Sequence, residues 1–86
     1  MTRDEIRGAV VAALTGVAPE IDPSRVQPDE PFRDAYDLDS MDFLNFVIGV
    51  HTRLGVDVPE ADYGKLATLN QAVTYLAARL GAAPGA

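Results

Sequence analysis

The sequence predicts an all-α fold: a small four-helix bundle of three main helices and one short helix, with a long first loop. Three observations predict it. Thr2–Glu5 and Thr68–Gln71 each have the spacing of a capping box and precede apolar residues at helical intervals. Asp39, followed three residues later by Asp42, opens a third, mostly apolar segment in the same way. Prolines and glycines break the stretches between them, and no convincing strand or internal repeat is present.

The first helix starts at Thr2, and Ile6, Ala9, Val10, Ala13, Leu14 and Val17 give it one apolar face. Gly16 and Pro19 are expected to end it. From Ala18 to about Leu38 the periodicity is lost, with prolines at 19, 23, 28 and 31. So long a connection in a compact domain is unusual and often functional. Val26 and Phe32 are its expected anchors to the core, with Tyr36 and Leu38 in reserve. A second main helix runs from Ser40 to about Leu54, and Gly55 closes it. Val56-Asp57-Val58 reads as a loop, because three extended residues need a partner strand. Pro59 to Tyr63 reads as the first turn of a short helix, limited by Gly64. Leu69, Val73, Leu76 and Leu80 then share one face of the last helix, stopped by Gly81. Residues 1–81 thus form one domain, and 82–86 are expected to be a flexible C-terminal tail.

The segment around Ser40 stands apart. With Asp39 as the N-cap, Ser40 falls at the first helical position, where the backbone has no need of its hydroxyl. A serine free of capping duty, at the positive end of a helix, suits attachment of a phosphorylated group. At about 100° per residue, Phe43, Phe46, Val47, Val50 and Leu54 make a core stripe. Met41, Leu44 and Ile48 make a second one, roughly 140° away, and Asp42, Gly49 and Arg53 lie opposite. Either the second stripe is exposed for a partner, or the helix is sandwiched and both stripes are buried. Exposure is expected for Met41 and Ile48, and Leu44 is open between the two.

Composition narrows the function. Eighty-six residues with 48% hydrophobic content suit one globular core rather than disorder. With no cysteine, disulfides, thiolate metal sites and cysteine nucleophiles are excluded. No apolar run approaches a membrane span and the first residues lack signal-peptide character, so a cytoplasmic protein with no membrane association is expected. The net charge is −6, and it is unevenly spread. Glu20 to Asp62 holds eleven acidic and three basic side chains, net −8, while the rest is +2. That sign makes nucleic acid a poor candidate partner; the acidic region either draws a basic protein surface or serves solubility alone.

Catalytic constellations are missing. His51 is the sole histidine and lies about three turns along the helix from Ser40, too far for proton transfer, so a solvated surface role is expected. A serine hydrolase therefore lacks its base. Asp37, Asp39 and Asp42 fail the EF-hand pattern, since Met41 takes a ligand position and Asp42 the place of glycine. Gly64-Lys65 lacks the preceding glycine of a phosphate loop.

Asp39-Ser40-Met41 resembles the Asp-Ser-Leu motif of acyl carrier proteins. The likeness extends over nearly the whole chain: the capped first helix, Phe32 eight residues before the serine, Leu54 to Pro59 after the second main helix, the short helix, and a final helix from Thr68. The resemblance implies that a phosphopantetheinyl transferase moves 4′-phosphopantetheine from coenzyme A onto Ser40, with Asp39 assisting through the transferase-bound magnesium. The arm would supply the thiol this chain lacks and carry acyl or aminoacyl groups as thioesters for fatty-acid, polyketide or other specialised biosynthesis. Met41, Asp42, Leu44 and Ile48 would face acyl-loading ligases or synthases with basic docking surfaces. The chain would be a monomeric, freestanding carrier and not an enzyme.

Two departures from the family pattern stand out. Many members have Leu-Gly where this chain has Tyr36-Asp37, and aspartate is among the few residues that tolerate the positive backbone angle glycine permits. Typical fatty-acid members are rich in glutamate along the serine helix, whereas Asn45, His51, Thr52 and Arg53 stand here, which points toward a specialised pathway. The competing reading is an unmodified helical interaction module docking through Met41, Leu44 and Ile48.

Overall fold

A computed structural model describes residues 1–81. The three main helices are α1 (Arg3–Val17), α3 (Ser40–Leu54) and α4 (Leu69–Leu80), with a single-turn helix α2 (Phe32–Ala35) inside the long connection. Two 3-10 segments, Pro23–Arg25 and Glu60–Leu66, complete the chain, and no strand occurs among the described residues. The expected tail at 82–86 lies outside them.

Each main helix begins at the cap its sequence announces. Thr2 Oγ1 accepts from the Glu5 N–H at 3.1 Å and the Thr2 N–H donates to Glu5 at 2.9 Å, a complete capping box. Thr68 accepts from the Gln71 N–H at 3.1 Å, but the Gln71 side chain meets the Thr68 hydroxyl instead of the cap's backbone. At the other ends Gly55 and Gly81 take left-handed conformations, φ 70° and 66°, and donate back to His51 and Ala77. Gly16 does not stop α1; the helix continues to Val17 and leaves helical geometry at Ala18, the residue that Pro19 restricts.

One core holds these elements. α1 packs chiefly against α3 and then α4. Ile6, Val10 and Leu14 of α1, Phe46 and Val50 of α3, and Leu76 of α4 are completely buried. The long connection is more ordered than its composition suggests. Phe32 is fully buried, edge-on to Phe46 with ring centroids 5.4 Å apart, and Leu38 and Ile21 are buried with it. The sequence reading did not single out Ile21. Val26 and Tyr36 are only half-buried. Backbone ties finish the job: the Phe32 N–H donates to the Ala67 carbonyl at 2.8 Å and the Asn70 N–H to the Pro28 carbonyl at 2.9 Å. The second bond satisfies one of the donors orphaned in the first turn of α4.

The short helix is a 3-10 segment and runs through Gly64 to Leu66 rather than ending at the glycine. Leu66, fully buried, draws the last turn into the core. Val56 and Val58 are buried in the loop before it, alternating with exposed Asp57.

Candidate functional site

The site is built at the start of α3. The Asp39 carboxylate accepts from the Asp42 N–H at 2.8 Å, and the Asp39 N–H donates to Asp42 Oδ2 at 3.3 Å. This reciprocal cap releases Ser40, the first residue of α3, from any backbone duty. Ser40 is exposed. Its Oγ accepts a long hydrogen bond, 3.4 Å, from Nη2 of Arg33 on α2. The turn that delivers Asp39 is set by Asp37, whose φ of 53° is the only positive value at a non-glycine residue among those described. Aspartate therefore does adopt the conformation that the Tyr36-Asp37 departure demands.

Along α3 the two stripes separate as the spacing requires. Phe43, Phe46, Val47, Val50 and Leu54 are buried, whereas Met41, Leu44 and Ile48 are 63%, 36% and 52% exposed. Leu44 is the least exposed of the three, and it borders an open cleft of about 900 Å³. Ser40 and Arg33 stand at that cleft, with Phe43, Tyr63 and Ala67 also lining it. The third face is covered by α1 at Gly49. A Cβ on Gly49 would lie 3.2 Å from the Ala13 side chain, so this glycine allows α3 to approach α1 closely. Arg53 also turns to α1, donating to the Ala12 carbonyl at 3.5 Å.

The opposite wall of the cleft, Glu60–Leu66, is fastened to α4 by polar side chains. The Tyr75 hydroxyl donates to Asp62 at 2.7 Å and accepts from Arg79 at 2.9 Å, and Arg79 also donates to the Asp57 carbonyl at 3.0 Å. Lys65 adds an ion pair to Asp62 at 3.4 Å. The Tyr75 hydrogen bond, aided by Lys65 and Arg79, holds the Asp62 carboxyl below the ordinary carboxylate range. Burial, reinforced by Asp62, pushes the Tyr75 hydroxyl up. Nothing in the helical periodicity reveals this network, nor Arg33 beside Ser40.

His51 is exposed at the far end of α3, with Nδ1 3.1 Å from the Val56 carbonyl and 3.7 Å from Asp57. Eleven residues of α-helix put it roughly 16 Å from Ser40, so the two do not form a catalytic pair.

Comparison with known proteins gives this geometry its context. A family model described as "Phosphopantetheine attachment site" matches residues 8–76. The acyl carrier protein of Renibacterium salmoninarum is 34% identical over 68 residues, 79% of each chain, and that of Acidothermus cellulolyticus is 31% identical over 77 residues, 90% of each chain. The chain belongs to the acyl carrier protein family. A further relative, the meromycolate extension acyl carrier protein of Mycobacterium leprae, is 29% identical over 76 residues, 88% of this chain. The chain spans 65% of that relative's length.

The prosthetic group of this carrier protein is 4′-phosphopantetheine. The residues at the head of α3 fit such a group. An exposed hydroxyl is present, with no hydrogen bond from it to the backbone, and a phosphate there would sit at the positive end of a 15-residue helix beside a guanidinium. No described helix is long and apolar enough to cross a membrane.

Proposed function

We propose that Ser40 is the attachment point of the arm and that this carrier presents acyl or aminoacyl intermediates to biosynthetic enzymes. The observation that carries the reading is the exposed Ser40 hydroxyl at the mouth of the cleft, released from capping by Asp39 and Asp42. Attachment joins the Ser40 oxygen to the arm's phosphorus as the pyrophosphate P–O bond of coenzyme A breaks, so that adenosine 3′,5′-bisphosphate leaves and the hydroxyl proton is lost. A phosphopantetheinyl transferase supplies the arm from coenzyme A, and Asp39 assists it. When bound, the arm supplies a thiol that holds cargo as a thioester.

The protein's own contribution is presentation, not catalysis. Met41, Leu44 and Ile48 offer an apolar ridge beside the attachment point, with the Asp39–Asp42 cap at the head of the helix. A partner with a basic rim and an apolar centre, a loading ligase or a synthase, complements both features. The relatives' names support acyl-chain biosynthesis, and that of the mycobacterial protein refers to meromycolate extension. Fatty-acid, polyketide or another specialised pathway is the setting of this reading, in the cytoplasm.

Incubation with a broad-specificity phosphopantetheinyl transferase and coenzyme A should raise the intact mass by one arm, and Ser40→Ala should abolish the gain. Persistent labelling of Ser40→Ala would move the attachment point elsewhere. A wild-type chain that never gains mass, yet binds partners through the ridge, would instead be an unmodified interaction module.

A further inference from the structure

We propose that Arg33 holds the phosphate of the attached arm and so turns the arm into the cleft between α3 and Glu60–Leu66. The inference rests on Ser40 being the attachment point, and it assigns Arg33 a positioning role that the serine motif does not contain.

Four observations converge on it. Arg33 Nη2 is 3.4 Å from Ser40 Oγ. A phosphoryl group on that oxygen carries its charged oxygens two bonds from Oγ, within reach of a guanidinium already touching it. The planar fork of arginine matches such oxygens in pairs, and charge assistance strengthens the contact. Second, the guanidinium is available. Among the described residues it makes no ion pair with a carboxylate, and it is the one cation lining the cleft, although Asp34, Asp37 and Glu60 line it too.

Third, the backbone at Arg33 is anchored and its guanidinium lies over Phe43 before any ligand arrives. Its neighbour Phe32 is fully buried, its own carbonyl accepts from the Leu38 N–H at 3.1 Å, and its guanidinium lies 6.0 Å from the Phe43 ring centroid. Fourth, the mouth of the site needs a cation. Asp39 and Asp42 flank Ser40, and the Asp39 carboxylate already occupies the Asp42 N–H at the helix start. A phosphodiester adds negative charge to that acidic rim, and Arg33 is the side chain placed to offset it. Because Arg33 stands on the cleft side, over Phe43, holding the phosphate there aims the arm toward Tyr63 and Ala67 and away from Met41 and Ile48.

The test compares the apo protein with protein loaded by transferase and coenzyme A, loading being read from intact mass and the contact from NMR of the Arg33 Nε–H and of the arm. On loading, the Arg33 signal should shift and its exchange with water slow several-fold, and high salt should partly reverse both. The arm's resonances should differ from those of free coenzyme A in the wild type, less so in Arg33→Lys, and revert to free-like values in Arg33→Gln. Full loading with an unchanged Arg33 signal, or an arm as ordered in Arg33→Gln as in the wild type, overturns the clamp and leaves the Ser40 assignment standing. Failure of the wild type to gain mass overturns both.

Discussion

Two ridges of the same helix carry the same kinds of residue and do opposite work. Phe43, Phe46, Val47, Val50 and Leu54 are sealed into the core, and Met41, Leu44 and Ile48 stand in or near solvent. Hydrophobicity alone does not separate them; angular position does. The first ridge packs in the core with α1, Phe32 and Tyr63, and burial there stabilises the fold. The second faces outward beside Ser40, where exposed apolar surface contributes nothing to folding and is available to a partner. A residue type tells what a side chain can do, and only its neighbours tell what it does.

The widest gap between the ridges should appear in stability. Phe46 is fully buried and contacts both Phe32 and Phe43 at ring separations of 5.4 and 5.6 Å. Phe46→Ala should therefore cost about 3–5 kcal/mol. Ile48→Ala, at a half-exposed site, should change stability by no more than about 0.5 kcal/mol. Urea unfolding of the two variants checks the pair, and equal losses would erase the distinction between the ridges.

A smaller effect tests the third face of α3. The helical wheel places Gly49 with Asp42 and Arg53, away from both apolar stripes, yet α1 approaches it closely enough to leave a Cβ only 3.2 Å from Ala13. Gly49→Leu must open the α1–α3 contact and should cost about 1–3 kcal/mol. Pairing it with Ala13→Gly should restore part of the loss, since the two sites share one space. Leu at 49 without penalty in a denaturation series would mean that the helices are not in firm contact there.

These contrasts also show what could be read in the chain beforehand. Caps were legible because a cap is local: Thr2, Asp39 and Thr68 each sit three residues from a partner, and the helices start where those pairs say. The core stripe of α3 was legible for the same reason, its period being a property of a single helix. Gly49 was not, because its meaning depends on Ala13 on another helix. Nor was the order in the long connection: Phe32 could be named as an anchor, but the turn it begins is tied to Ala67, thirty-five residues on. Arg33 had no signal at all. It comes within reach of Ser40 only once the chain has turned at Asp37 in a conformation set by a single positive φ.

The least effect expected concerns the far wall of the cleft, Glu60–Leu66, which polar groups fasten to α4 in addition to the buried Leu66. Asp62 is depressed chiefly by the Tyr75 hydrogen bond. A carboxyl lowered in the folded state contributes stability that is complete above its unfolded value, about 4, and is lost as pH falls through the folded one. Tyr75→Phe removes the donor, so the variant should be slightly less stable than wild type at neutral pH, with the gap closing under acid. The effect should be modest, because the Asp62 side chain keeps 24% of its exposure and solvent screens the pair. Denaturation midpoints of both proteins at neutral pH and near pH 3 would read it. A gap of equal size at both would mean that Tyr75 holds the wall by packing alone. The two sides of the cleft would then differ in composition but not in the kind of force that fixes them.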